Sequence, residues 1–265
     1  MITTHALACA IDGTPLLSDC TLRFAAGRVS AVLGPNGAGK STLLRLLAGD
    51  RRPDRGEVRL AGRPLATWTP VRLARRRAVV AQFNQVAFPF TVAEIVALGR
   101  APWRRSETRH ARAAAVSAAL ARMQVDKLAE RLYPTLSGGE QQRVAIARAL
   151  AQLDYPRPRD ARCLLLDEPS ASLDLHHQHA LMTLLRELAQ QGFTVIAVLH
   201  DLNLALAYAD DTILLERGRV IAAGTTAATL TAANVARVYR VDAERLQTPD
   251  GSAVIIARRR KESVA

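Results

Sequence analysis

Short apolar runs recur along this chain, and each is followed by a change of period. Val29-Ser-Ala-Val-Leu33 is one such run; it enters a glycine-rich turn and then residues 41–48, where apolar side chains return at helical spacing. The pattern predicts strand, loop, helix. From about 83 to 154 the chain is rich in alanine and arginine with a 3.6-residue period, most regular over 91–99 and 109–123, which predicts an inserted helical subdomain. Strands and helices then alternate again: a strand at 163–166, a helix at 175–191, and strands at 194–199 and 212–215. Such alternation predicts an α/β fold with a largely parallel sheet and helices on its faces. A proline- and charge-rich piece between 151 and 162 reads as a surface loop.

Length and composition narrow this picture. The 265 residues, 49% apolar and 23% charged, suit one compact domain rather than a disordered or fibrous chain. Every apolar run is far shorter than the roughly 20 residues of a spanning helix. The start, Met1-Ile-Thr-Thr-His-Ala, lacks the basic and apolar regions of a secretory signal, so a cytoplasmic location is expected. Cys9, Cys20 and Cys163 form no CxxC pair and read as reduced, buried thiols. The net charge of +12 favours anionic partners: nucleotides, nucleic acid or a membrane leaflet. Nearly all of the positive charge is arginine, and Lys40, Lys127 and Lys261 are the only lysines.

Lys40 ends the segment Gly34-Pro35-Asn36-Gly37-Ala38-Gly39-Lys40-Ser41-Thr42, which meets the phosphate-loop pattern between a predicted strand and helix. Glycines let the backbone curl so that successive N–H groups face phosphate oxygens, and the following helix adds its positive end. Lys40 is placed for the β- and γ-phosphates, and Ser41 for Mg²⁺. Farther on, Cys163-Leu-Leu-Leu-Asp167-Glu168-Pro169 is a buried-type strand ending in two carboxylates. Asp167 suits the Mg²⁺ shell, directly or through water, and Glu168 suits the base that polarises the attacking water. Ser137-Gly138-Gly139-Glu140 opens another helical stretch with glycine N–H groups and a hydroxyl at its N-terminus.

Leu136-Ser-Gly-Gly-Glu140 resembles the signature motif of the ABC ATPases, and its position between the phosphate loop and the Asp-Glu strand follows that family's order. The resemblance extends over nearly the whole chain: Gln82 resembles the lid glutamine, Ser172-Leu-Asp174 the D-loop, and His200, at the end of a strand, the switch histidine. It implies a phosphate-loop NTPase core over 1–82 and 155–265, with an N-terminal antiparallel β portion and the helical subdomain at 83–154, all in one ABC ATPase domain. It also implies ATP and Mg²⁺ as cofactors. Glu168, His200 and Lys40 would be catalytic, and the phosphate loop, Gln82 and residues 137–140 would contact nucleotide. Ser41, Gln82 and Asp167 would hold the metal. Two copies would bind head to tail, each signature motif closing over the partner's ATP. They would drive a helical membrane permease, itself in two copies, at the cytoplasmic face of the inner membrane, with a periplasmic substrate-binding protein acting indirectly.

The chain departs from the family pattern in places. No aromatic precedes Phe24, although many members stack adenine on an N-terminal tyrosine; Ile11 lies near that position. Ser170 replaces a common threonine, and Ala81 a common proline. Phe88-Pro-Phe-Thr-Val-Ala-Glu-Ile-Val-Ala-Leu-Gly-Arg100, the long 151–162 loop and the ending from Val238 resemble the ATPases that import haem, iron-siderophores and cobalamin, the haem branch most. Soluble ABC ATPases of iron–sulfur cluster assembly are the alternative. His176, His177 and His179 read as a solvated helix face rather than ligands. The arginine clusters at 75–77, 104–105 and 258–260 accompany no nucleic-acid module, so no nucleic-acid partner is expected.

Overall fold

A computed structural model of the chain describes residues 1–82, 88–154 and 161–259. Three predictions fall partly outside them: the first residues of the helical stretch, 83–87, the middle of the long loop, 155–160, and Arg260. The chain opens with strands β1 (Ile2–Ile11), β2 (Thr14–Phe24) and β3 (Arg28–Leu33), then helix α1 (Lys40–Ala48). Strands β4 (Arg55–Leu60) and β5 (Arg63–Pro64), helix α2 (Pro70–Ala74) and strand β6 (Arg77–Val80) follow. Next come helices α3 (Val92–Leu98), α4 (Arg109–Arg122) and α5 (Gly138–Leu153). Strand β7 (Cys163–Asp167), helix α6 (Leu175–Gln190), strand β8 (Thr194–Val198), helix α7 (Leu202–Tyr208) and strands β9 (Asp211–Glu216) and β10 (Arg219–Thr225) complete the α/β part. Helices α8 (Thr226–Thr229) and α9 (Ala232–Tyr239) and strands β11 (Asp242–Gln247) and β12 (Ala253–Arg258) end it.

Among the described residues the main sheet runs β10-β9-β3-β8-β7-β6. Its strands from β9 to β6 are parallel and β10 is antiparallel to β9. Strands β3, β7 and β8 are buried almost throughout, as a sheet covered on both faces requires. A second, antiparallel sheet in the order β2-β1-β4-β5 carries the alternating burial of a strand with one face to the core. Arg28 locks the register of β3 against β9 through a bidentate pair with Asp211, at 2.6 and 2.8 Å. The predicted strands and helices differ from the observed ones by a residue or two. Strands β1, β2, β4, β5 and β6, helices α2 and α7 and everything after β9 escaped the periodic reading, because they are short or only half-buried.

The helices α3, α4 and α5 pack on one another and α5 packs on β6, and their apolar side chains join those of the sheet in one core. Val92, Ile95, Val144, Ile146 and Leu153 belong to the same buried cluster as Leu164, Leu166, Val195 and Ala197. Each fully buried aliphatic side chain there contributes about 2 kcal/mol. Capping boxes start two of these helices: Thr91 with Glu94 in α3, and Ser137 with Glu140 in α5. Polar bonds tie the helices to the core as well. Gln152 donates to the carbonyls of Ala74 and Arg77, at 2.6 and 2.9 Å, and the Trp103 indole donates to Gln152 O at 2.8 Å.

Beneath α4, Arg100 and Glu107 form an ion pair at 2.5 Å with each side chain only 3% exposed. Arg100 also donates to the carbonyls of Ala151 and Asp154 at the end of α5, and Arg112 takes the other oxygen of Glu107 at 3.1 Å. Removing one partner of such a pair strands a buried charge, at a cost of about 3–5 kcal/mol. Glu107→Gln is therefore expected to lower unfolding free energy in urea by about that amount. A midpoint equal to wild type would show that the pair is better solvated than its burial indicates.

Candidate active site: a phosphate loop facing two carboxylates

The turn from β3 to α1 owes its shape to glycines that no other residue could replace. Gly34 has φ +150°, and a Cβ there would lie 2.1 Å from Leu215 O; at Gly39, φ +98°, it would lie 2.7 Å from Leu16 O. Strand β2 and the β9–β10 turn thus press on the loop from behind, with Gly218 N–H bonded to Ala38 O at 3.0 Å. Gly37 is also left-handed, at φ +77°, while Asn36 and Gly37 are exposed at the crest. Pro35 O accepts from Ala38 N–H, and Gly39 O from Leu43 N–H, so the loop passes directly into the helix. Thr42 lies in the first turn of α1.

Lys40, the first residue of α1, is buried and folds back on the loop: its Nζ donates to Gly34 O at 2.8 Å and Pro35 O at 3.0 Å. Burial lowers its pKa, against a smaller raising effect from Glu168 and Asp167. Ser41 Oγ donates to Asp167 Oδ1 at 3.3 Å, joining α1 to the end of β7. Burial raises the Asp167 pKa, the Ser41 bond opposes this, and the neighbouring charge of Glu168 raises it further. Hydroxyl and carboxylate oxygens are hard donors of the kind Mg²⁺ takes, and a cation would relieve both effects that burden Asp167. The donor set fits that ion.

Glu168 follows β7 in left-handed backbone, φ +50°, a conformation costing a non-glycine residue about 1 kcal/mol or more. Its N–H is bonded to Val198 O at 3.2 Å, which holds the turn against β8. Gln82 Nε2 donates to Glu168 Oε2, and His200 Nε2 meets Glu168 Oε1, both at 2.5 Å. The carboxylate is 14% exposed and the imidazole 47%, so the pair sits at the mouth of the site. A cavity of about 230 Å³ opens beside it, lined by Ser41, Arg45, Asp50, Gln82 and Asp167 among others.

Lys40, Ser41, Gln82, Asp167, Glu168 and His200 are thus brought together from four separate segments. Residues 137–140 are not part of this cluster. Ser137 caps α5, accepting from Glu140 N–H at 3.3 Å, while Glu140 takes the Ser137 N–H at 2.8 Å. That backbone bond, more than the serine hydroxyl, holds the Glu140 pKa low. Gly138 and Gly139 lie against the D-loop, where Ser172 Oγ donates to Gly138 O at 3.4 Å. Asp174 caps α6 by accepting from His177 N–H, and its carboxylate also meets the His177 ring. His179 bonds Tyr208. Among the described residues no histidine, cysteine or carboxylate group of three or more could hold a metal.

Arg45 was not singled out from the sequence. It lies four residues after Ser41, on the same face of α1, and its charge lowers the Asp167 pKa. That i, i+4 spacing was the available signal. Leu16 and Leu215, whose carbonyls shape the loop, left no signal of their own.

A phosphate loop closing on two strand-end carboxylates defines a nucleotide-hydrolysing ATPase built on a parallel sheet. A family model described as ABC transporter matches residues 17–171. The hemin import ATP-binding protein of Nocardia farcinica is 48% identical over 241 residues, 91% of this chain and 81% of that protein. The hemin import ATP-binding protein of Escherichia coli O157:H7 is 43% identical over 257 residues, 97% and 98% of the two chains. Among solved structures, a metal-chelate type ABC transporter in an inward-facing conformation aligns with TM-score 0.79 and 29% identity, covering 97% of this chain and 96% of that one. A dimeric bacterial ABC transporter cassette aligns at TM-score 0.73 and 28% identity, covering 85% and 99%. The chain belongs to the ABC transporter family and is an ATP-hydrolysing subunit of it. Among the described residues no helix is long and apolar enough to cross a membrane.

Proposed function

We propose that this chain is the ATPase of an importer for hemin or a closely related iron chelate. The observation that carries the chemistry is the convergence of Lys40, Ser41, Asp167 and Glu168 on one side of a phosphate loop. The cargo reading is supported by the hemin-import relatives, which match almost end to end.

In this reading the N–H groups of Gly34 and of Asn36 to Thr42 cradle the phosphates, and Lys40 releases its two loop carbonyls to reach the β- and γ-oxygens. The phosphate charge restores the preference of Lys40 for its ammonium form, which burial alone disfavours. Ser41, Asp167 and the Gln82 side-chain oxygen are the donors for Mg²⁺. When bound, that ion neutralises charge on the β- and γ-phosphates. Glu168 orients the attacking water and accepts its proton. Each of its oxygens holds one partner here and keeps a lone pair for the water; His200, exposed at the mouth of the site, turns to the γ-phosphate. Residues 137–140 serve the partner's nucleotide in a head-to-tail homodimer, where the Gly138 and Gly139 N–H groups, without helical acceptors, meet phosphate. The core is 1–82 with 155–265, and 83–154 is the helical subdomain. The dimer drives two permease copies from the cytoplasmic face of the inner membrane, with a periplasmic binding protein delivering the cargo.

The test is the ATPase rate of the wild-type chain captured with its permease from the host's detergent-solubilised membranes. Hemin presented by the binding protein is expected to raise the rate, and cobalamin is not. Stimulation by another chelate would move the cargo; partners confined to soluble cluster-assembly proteins would remove the importer reading altogether.

A further inference from the structure

Fourteen arginines and four acidic residues lie between positions 51 and 112, so these 62 residues carry +10 of the chain's +12. All four acids are engaged within the fold, Asp54 by accepting from Ala10 N–H at 2.6 Å. Glu57 pairs with Arg59 at 2.7 Å, Glu94 caps α3, and Glu107 is buried between Arg100 and Arg112. The excess is therefore not neutralised locally.

Part of it gathers where β5, α2 and the turn before α4 meet. The Arg63 and Arg76 guanidiniums each lie 5.1 Å from the Trp68 ring centre, and that of Arg75 lies 4.6 Å from Trp103. Arg75 also donates to Pro102 O and Ser106 Oγ, both at 2.9 Å, which joins α2 to the 101–106 turn. Around this stacked centre Val71 is 52% exposed. Arg72, Arg104 and Arg105 are exposed as well, with no side-chain partner among the described residues.

We propose that this arginine–tryptophan face docks on anionic lipid headgroups of the membrane beside the permease, an inference that rests on the chain being a membrane transporter's ATPase. Cytoplasmic loops of membrane proteins carry an excess of Lys and Arg, so a permease surface does not complement a face of this charge. The anionic component of that surface is lipid phosphate. Guanidinium groups bind phosphate in bidentate fashion, and an exposed apolar side chain among them can enter the headgroup layer. A nucleic acid fits less well: Trp103 is buried and Trp68 carries two guanidiniums, so neither offers an open platform to a base.

Each basic residue close to an anionic leaflet strengthens binding about fivefold, which gives about a hundredfold for three. The experiment is flotation of the full chain with phosphatidylcholine vesicles, with and without about 30% phosphatidylglycerol, across a salt series from about 0.1 M. The wild-type chain is expected to float only with the anionic vesicles and to be released as salt rises. The triple variant Arg72→Gln, Arg104→Gln, Arg105→Gln is expected to lose about a hundredfold in vesicle affinity while its ATPase rate in solution and its melting temperature stay unchanged. Equal binding of the wild type to neutral and anionic vesicles, or of wild type and variant to anionic ones, overturns the proposal. So does a wild type that ignores vesicles while the variant loses its permease in detergent, which would assign the face to protein. Permease capture in detergent, where no bilayer exists, reports on the importer reading separately.

Discussion

Glu168→Gln is expected to lower steady-state ATP turnover by about 10²–10⁴-fold while ATP binding persists. Glutamine keeps the shape and an oxygen to accept from Gln82 but has no basic oxygen for the water proton. The γ-phosphate then stays in place, and two chains held together by two trapped nucleotides are expected to elute as a dimer in ATP and as monomers without it. Turnover rates under saturating ATP, with size-exclusion chromatography beside them, provide the check. Turnover near the wild-type rate would remove Glu168 as the base and direct attention to His200, which meets the same carboxylate.

Lys40→Ala is expected to weaken ATP binding by about a hundredfold or more, the usual consequence of truncating one partner of a buried charge pair. Lys40 is the only cation whose amine bonds the phosphate loop itself among the described residues, and Arg45 lies beyond Ser41 on the metal side. Equilibrium binding of ATP, measured with and without Mg²⁺, separates the two contributions. The variant should fail in both conditions, whereas Ser41→Ala should lose mainly the part that depends on Mg²⁺. Unchanged affinity in Lys40→Ala would mean that the amine stays on Gly34 and Pro35 when nucleotide arrives and has only a structural part.

The two predictions differ in how readable their residues were. Lys40 sits in a contiguous nine-residue pattern whose backbone demands can be stated from glycine spacing alone, so it was legible without a fold. Glu168 was legible as a strand-end carboxylate, yet its two contacts were not: Gln82 and His200 lie 86 residues before it and 32 after it in the sequence. The signature serine was legible as a helix start. Its hydroxyl caps α5, whose start lies against Ser172. Ile11 is 40% exposed at the end of β1.

What the sequence by itself determined was everything that depends on near neighbours. The short apolar runs, the 3.6-residue period, the glycines at the phosphate loop, the Asp-Glu strand end and the concentration of arginine all follow from adjacent residues and need no partner. Tertiary structure alone decided the rest. It placed the carbonyls of Leu215 and Leu16 where only glycine fits opposite, buried Glu107 between Arg100 and Arg112, and joined α2 to the turn before α4 through Arg75. It also set Gln82 and His200 on the two oxygens of Glu168. These contacts are made between segments that meet only when the sheet forms its order, and that order is set by which apolar faces bury together, a choice that no single segment encodes.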